Sequence, residues 1–425
     1  MDWSNLQNIL AKELERQQNS LELIASENYV SKEVLWAYAN IFTNKYSEWY
    51  PGKRYYGGNQ YVDELEIYTQ QLALQIFDLD PFVRWVNVQP LSWSTANLAV
   101  YTWLLNPWDT ILAMDLATWW HLTHGMKLNA SGKYFNFVHY GVDKDGYIDK
   151  EQLLKLALDH KPKMIIAWFS SYPRELERDI FVEAKNLLKQ DHDHDTLLMA
   201  DISHIAGLIA GWVHESVFET DFDIVTTTTH KTLRWPRGAL IYFRLPYQKQ
   251  IERGVFPGVQ GWPFDHVLYA KAVALEEILG PWRDKDKRKN YTHQIILNNK
   301  TFAKWLIDRW RQLATGGTDN HLIVMDVSRK WLDWNLQDTW LTGKEAELLL
   351  EEIGLSVNKQ LIPYDNRSPQ DPSGIRLGTP AVTTRWLIEE DIDILVDVVD
   401  RVLSGNKEWC AEAIWRLCDK YPLWY

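Results

Sequence analysis

Two short apolar runs, each closed by a charged residue, constrain this chain more than anything else in it. The first is Leu197-Leu198-Met199-Ala200-Asp201, followed by Ser203 and His204. The second is Ile224-Val225 leading into Thr226-Thr227-Thr228-Thr229-His230-Lys231. Apolar and β-branched runs of this length read as strands leaving a core. Roughly 30 residues separate Asp201 from Lys231, room for a crossover from one strand to the next. A strand-end acid in an α/β protein points into the crevice at the carboxyl edge of the sheet. A lysine hemmed in by hydroxyls suits a Schiff-base amine, because burial and cationic neighbours make an amine nucleophilic. Taken alone, the second run fits a surface lysine after an edge strand as well. Together the two residues are the pair that pyridoxal phosphate needs: an amine for the aldehyde and a carboxylate for the pyridine nitrogen.

Length and composition narrow the setting. The 425 residues suffice for two domains around a large core. A net charge of −12 argues against non-specific nucleic-acid binding. Only Cys410 and Cys418 could pair, which fits a reducing compartment. No apolar run approaches a membrane span. The polar, acidic start, MDWSNLQNILAKELERQQ, lacks the features of a signal or transit peptide. A cytoplasmic protein without nucleic-acid or membrane partners is expected.

Longer blocks identify the chain's relatives: LELIASENY at 21–29, TNKYSE at 43–48, YPGKRYYGG at 50–58, TTTTHKTL at 226–233 and SGIRLGTPA at 373–381. In these blocks the chain resembles serine hydroxymethyltransferases, from about Leu21 to Trp386. The resemblance implies an α/β protein of pyridoxal phosphate fold type I. A large domain (31–285) would hold a mainly parallel seven-stranded sheet between helices. An N-terminal arm (1–30) would precede it, and a smaller C-terminal α+β domain (286–425) would follow. It also implies pyridoxal 5'-phosphate as cofactor, tetrahydrofolate as cosubstrate, and a homodimer or dimer of dimers. The reaction implied is the reversible conversion of L-serine and tetrahydrofolate to glycine and 5,10-methylenetetrahydrofolate.

Site residues follow by position in the blocks. Lys231 matches the cofactor lysine and Asp201 the acid on the ring nitrogen. His121 matches the histidine stacked on the ring, while His204, Thr228 and Ser170 match its neighbours. Ser92, Trp93 and Ser94 stand in the phosphate loop, with His230, and with Tyr46, Gly261 and Trp262 serving a partner's phosphate. Ser26 and Arg376 match the grip on the substrate carboxylate, for which a planar guanidinium is suited. Ser26 could instead cap the helix beginning near Ser31. Glu48, Tyr55 and Tyr56 match groups at the substrate's hydroxymethyl end, where a partly buried carboxyl can move protons. Leu116, Trp120, Leu122 and Gln360 match the folate slot, Gln360 in place of the usual Asn. Arg237 is a charged neighbour. The DHDHD run at 191–195 reads as a solvated turn rather than a metal site.

One feature departs from the family. Tryptophan occurs 23 times, roughly four times its usual share, while glycine, at 21, falls below the roughly 7% norm. Trp49, Trp93, Trp108, Trp119, Trp120, Trp168, Trp235 and Trp262 stand where the family usually has glycine. Trp212, Trp310, Trp331 and Trp386 join them. An altered or generated variant of a natural enzyme is the expectation. At Trp93 phosphate binding survives if the backbone keeps a negative φ and the indole points away. Crowding at Trp119 and Trp120 leaves open a folate-independent 3-hydroxy amino acid aldolase. Trp93 and Trp262 leave open a catalytically silent scaffold.

Overall fold

Seven strands lie between the helices of the larger of two units: β1 (Arg84–Asn87), β2 (Thr110–Met114), β3 (Asn136–Tyr140), β4 (Met164–Trp168), β5 (Leu197–Asp201), β6 (Ile224–Thr228) and β7 (Ala239–Arg244). The computed structural model describes residues 4–115, 122–168, 170–279, 285–332, 335–339 and 341–425. The sheet order is β1-β7-β6-β5-β4-β2-β3. Only β7 runs antiparallel to its neighbours. This is the mainly parallel sheet that the resemblance implied. Strands β4 and β6 are buried along their whole length, as strands covered on both faces must be.

That topology sets one edge apart. Strands β4, β5 and β6 are in register, with Trp168 beside Asp201 and Asp201 beside Thr226. Their carboxyl ends therefore open together. Strand β1 runs in the same direction, so the helix Trp93–Leu104 that follows it starts at this edge too. Ser92 caps that helix, accepting from the Thr95 amide, and Thr95 returns the bond to the Ser92 amide.

Val30–Thr292 make up this unit; the residues up to Tyr29 fold with His293–Tyr425 into the other. The second unit has a five-stranded antiparallel sheet of β8 (Arg311–Leu313), β9 (Leu322–Leu332), β10 (Asn335–Asp338), β11 (Asn358–Gln360) and β12 (Gly374–Gly378). Ile323, Met325 and Leu377 from the sheet pack with Leu395, Val399 and Leu417 from helices Glu389–Leu403 and Cys410–Lys420.

Two boundaries differ from the sequence reading. Residues 1–30 do not stand apart throughout: Leu21 and Leu23 are fully buried in the second unit's core, and Leu21 pairs in parallel with Leu355. Burial of two leucines ties the segment down, while the helix before it, Ser4–Asn19, buries nothing. The division expected at 285 falls between Thr292 and His293, inside the helix Lys285–Asp308. The charged PWRDKDKRK run, where that boundary was expected, is helical from Lys285 onward, since its lysines and arginines are good helix formers.

Candidate active site

Asp201 is completely buried at the end of β5. One carboxylate oxygen accepts from the Ser203 hydroxyl at 2.6 Å and the Ser203 amide at 3.2 Å. The other accepts from Asn97 Nδ2 at 3.0 Å and lies 3.3 Å from His124 Nε2. Burial pushes this carboxyl up. The hydrogen bond and charge of His124, with the bonds from Ser203 and Asn97, outweigh it and hold the group at about 2. Asp201 is thus a fixed anion at neutral pH. Tyr101 supports the arrangement from behind, its hydroxyl 2.8 Å from His124 Nδ1.

Lys231 is 4% exposed. What lies between it and Asp201 is a side chain of the chain itself. The indole N–H of Trp93 donates to Asp201. Lys231 Nζ lies 3.8 Å from the centre of the Trp93 ring, a cation–π distance. One planar heterocycle therefore meets the acid with its nitrogen and the amine with its face. Trp93 is the first residue of its helix, and helical side chains tilt toward the N-terminus. The indole accordingly projects off the helix start into the strand ends. Trp168 stands beside it, with ring centres 6.3 Å apart, and meets His124 edge-on at 5.3 Å.

Thr228 does not aim its hydroxyl at a ring; it donates to the Ser203 carbonyl at 3.3 Å, while its amide donates to the Ser203 hydroxyl at 3.0 Å. His204 is buried, its carbonyl accepting from Thr232. Ser170 is buried just after β4. His230 is pulled down to about 3 by burial, Lys231 and Arg237, so it is neutral at physiological pH. Ser92 and Ser94 are exposed at the helix start, the end that favours anions. Tyr46 packs on Trp262 with ring centres 3.8 Å apart, and Tyr56 meets Tyr46 edge-on. Desolvation and the Glu48 carboxylate push the Tyr46 phenol up. Tyr55 and Leu122 are exposed. A Cβ added to Gly261 would meet nothing. The 191–195 run ends a helix, with Asp193 left-handed and Lys189 paired to Asp193 and Asp195.

In the smaller unit Arg376 is buried on β12, donating from Nε to Asn358 at 3.1 Å. Burial lowers its guanidinium to about 10, which leaves it charged at neutral pH. Gln360 donates to the Leu361 carbonyl. Ser26 is half-buried, and the helix cap expected as its alternative role belongs to Ser31. Leu116, Trp119, Trp120 and His121 lie outside the described residues.

Sequence reading missed Asn97, His124 and Arg54. The first two converge on Asp201 from a helix face and a loop far away in the chain. Arg54 binds Asp63 and Glu66 at 2.7 and 2.6 Å and the carbonyls of Ser47 and Trp49, which pins the loop carrying Tyr46 and Glu48. The signal available for it was its place in the YPGKRYYGG block.

The serine hydroxymethyltransferase family model matches residues 2–399. A curated serine hydroxymethyltransferase from Desulfotalea psychrophila is 45% identical over 419 residues, covering 97% of this chain and 93% of that protein. The chain belongs to the serine hydroxymethyltransferase family. The family consists of pyridoxal phosphate-dependent transferases of fold type I, the fold found here. A buried acid and a buried lysine across a flat slot suit a pyridine ring. The slot itself does not: the Trp93 indole takes the ring's place, hydrogen-bonded to the acid under the amine. With Trp93 in this position the residues present do not fit the cofactor.

Proposed function

We propose that the framework of this chain is that of an enzyme exchanging a one-carbon unit between L-serine and tetrahydrofolate, in one-carbon metabolism of the cytoplasm. Family membership supports the reaction class. The observation that carries the reading at residue level is that Asp201 and Lys231 touch one planar ring from its nitrogen edge and its face. Arg376 and Ser26 take the substrate carboxylate. Glu48 handles the proton of the hydroxymethyl oxygen, with Tyr55 and Tyr56 beside it. Ser92, Ser94 and His230 serve the cofactor's phosphate, and Leu122 and Gln360 the folate.

The finer reading is that tryptophan stands at many glycine positions. Its support is conformational: half of the non-glycine residues with positive φ among the described residues are tryptophan, namely Trp49, Trp108, Trp212, Trp310, Trp386 and Trp409. A bulky side chain has no preference for that region; glycine does. A homodimer is proposed from the loop at 43–58 and from Leu6, Ile9 and Leu10, all exposed on the helix Ser4–Asn19.

The indole in the slot favours a second reading: the unaltered chain is catalytically silent. Glycine release from L-serine, with and without tetrahydrofolate, separates the readings when measured on the unaltered chain and on W93G. Strong folate stimulation in W93G is expected. Equal release without folate would favour an aldolase. No release from W93G would leave the framework silent at other positions as well.

A further inference from the structure

We infer that a tryptophan at position 93 acts as an intramolecular stopper in every copy of the chain that carries it, holding shut the ring slot between Asp201 and Lys231. The inference rests on the reading of those two residues as the cofactor pair. The indole satisfies the slot's chemistry on both sides. Its N–H meets the carboxylate oxygen that Asn97 and His124 also face. Its π-face lies against Lys231 Nζ. Charge-assisted hydrogen bonds and desolvated cation–π contacts are among the stronger polar contacts, so the indole is held rather than loosely parked. Removing the indole also leaves the start of the helix intact. The start of the helix is fixed by the reciprocal Ser92–Thr95 bonds, which do not involve residue 93. Trp93→Gly therefore empties the slot while keeping the helix that borders it.

The test is an equilibrium titration with pyridoxal 5'-phosphate, read by the visible absorbance of the bound cofactor and by its covalent fixation after borohydride. W93G should bind at least tenfold more tightly than the unaltered chain. W93F, which refills the slot without the N–H, should stay as closed as the original. W93G/K231A should lose the fixation. Matching circular dichroism and melting curves establish that each variant folds, and W93A stands in if W93G does not. Equal binding by the unaltered chain and W93G would refute the stopper while leaving the cofactor pair intact. A folded W93G that takes no cofactor would refute both.

A separate observation carries a second proposal. The left-handed tryptophans repeat the geometry of a glycine turn made elsewhere in the same chain. Gly405, at φ +84°, ends the helix Glu389–Leu403 with its amide on the Val402 carbonyl and the Asn406 amide on the Arg401 carbonyl. Trp386, at φ +73°, makes the same pair of bonds to Thr383, with Leu387 bonding Val382. Trp212, at φ +57°, does so to Ile209, with Val213 bonding Leu208. These are Schellman turns, whose left-handed residue is usually glycine. One replacement repeated across both units calls for one cause. We propose that it is decoding: a codon written here as tryptophan is read as glycine by the cell that makes the protein. UGA, one base from the glycine codon GGA, is a stop codon open to either reassignment. Peptide masses of the protein isolated from its own cells decide the matter. Glycine at 93, 212 and 386 is expected; tryptophan at those positions would overturn the proposal.

Discussion

Asp201 gives the active site a pH signature of its own. Its folded value of about 2 lies below the usual carboxylate value. A depressed acid stabilises the fold above its unfolded pKa and loses that contribution as pH falls through the folded one. Between about pH 4 and pH 2 the loss should be about 2 kcal/mol. Urea midpoints across that range should fall less steeply for D201N than for the unaltered chain. Equal slopes would place the acid-sensitive group elsewhere. His124→Ala should raise the acid's pKa, because it removes the hydrogen bond and charge that His124 sets against the carboxyl, and should move the acid limb to higher pH in the same titration. At this scale the sequence was partly legible. Lys231 and Asp201 could be read because each ends an apolar run. Asn97 and His124 could not, because their convergence is a product of the fold. Nor could the direction of the Trp93 side chain: a negative φ leaves it open, and the tilt at the helix start decides it.

Helix ends are where the tryptophans act on stability. Trp386 is 77% exposed, so it gains little by packing and keeps the cost of a left-handed backbone, about 1 kcal/mol. Trp386→Gly should therefore raise the stability by about that amount, and Gly405→Trp should lower it at least as much, since the two turns share one geometry. Trp415 is the control. It lies exposed within the helix Cys410–Lys420, where glycine should cost about 1 kcal/mol relative to a good helix former. Denaturant midpoints of the three variants give the signs; stabilisation by all glycines alike would remove the conformational argument. Elements were the most legible level of the chain. Thr110–Met114 and Met164–Trp168 have the bounds their apolar runs suggest. The turns were less legible, because a tryptophan conceals the cue that a glycine would give.

Across the whole chain, two features bear on assembly. The helix Ser4–Asn19 presents Leu6, Ile9 and Leu10 without burying them, and the loop around Tyr46 and Glu48, anchored by buried Ser47 and Tyr50 and braced by Arg54, leaves Tyr46 exposed. Sedimentation velocity should give a dimer at micromolar concentration, and replacing Leu6, Ile9 and Leu10 with serine should shift it toward monomer. An unaltered monomer in both cases would remove the proposed dimer. The N-terminal arm illustrates what the sequence left out at this scale. Leu6, Ile9, Leu10 and Leu14 fall near helical spacing, which suits the helix Ser4–Asn19, but the pairing of Leu21 with Leu355 joins residues too far apart in the chain for any local pattern to announce.

A ring-shaped slot between an acid and an amine is built into this fold, and Trp93 fills it. Peptide mapping after exposure to pyridoxal phosphate and borohydride tests it most directly. A mass increase is expected on the peptide containing Lys231 in W93G and almost none in the unaltered chain. Modification of Lys231 to the same extent in both proteins would contradict it.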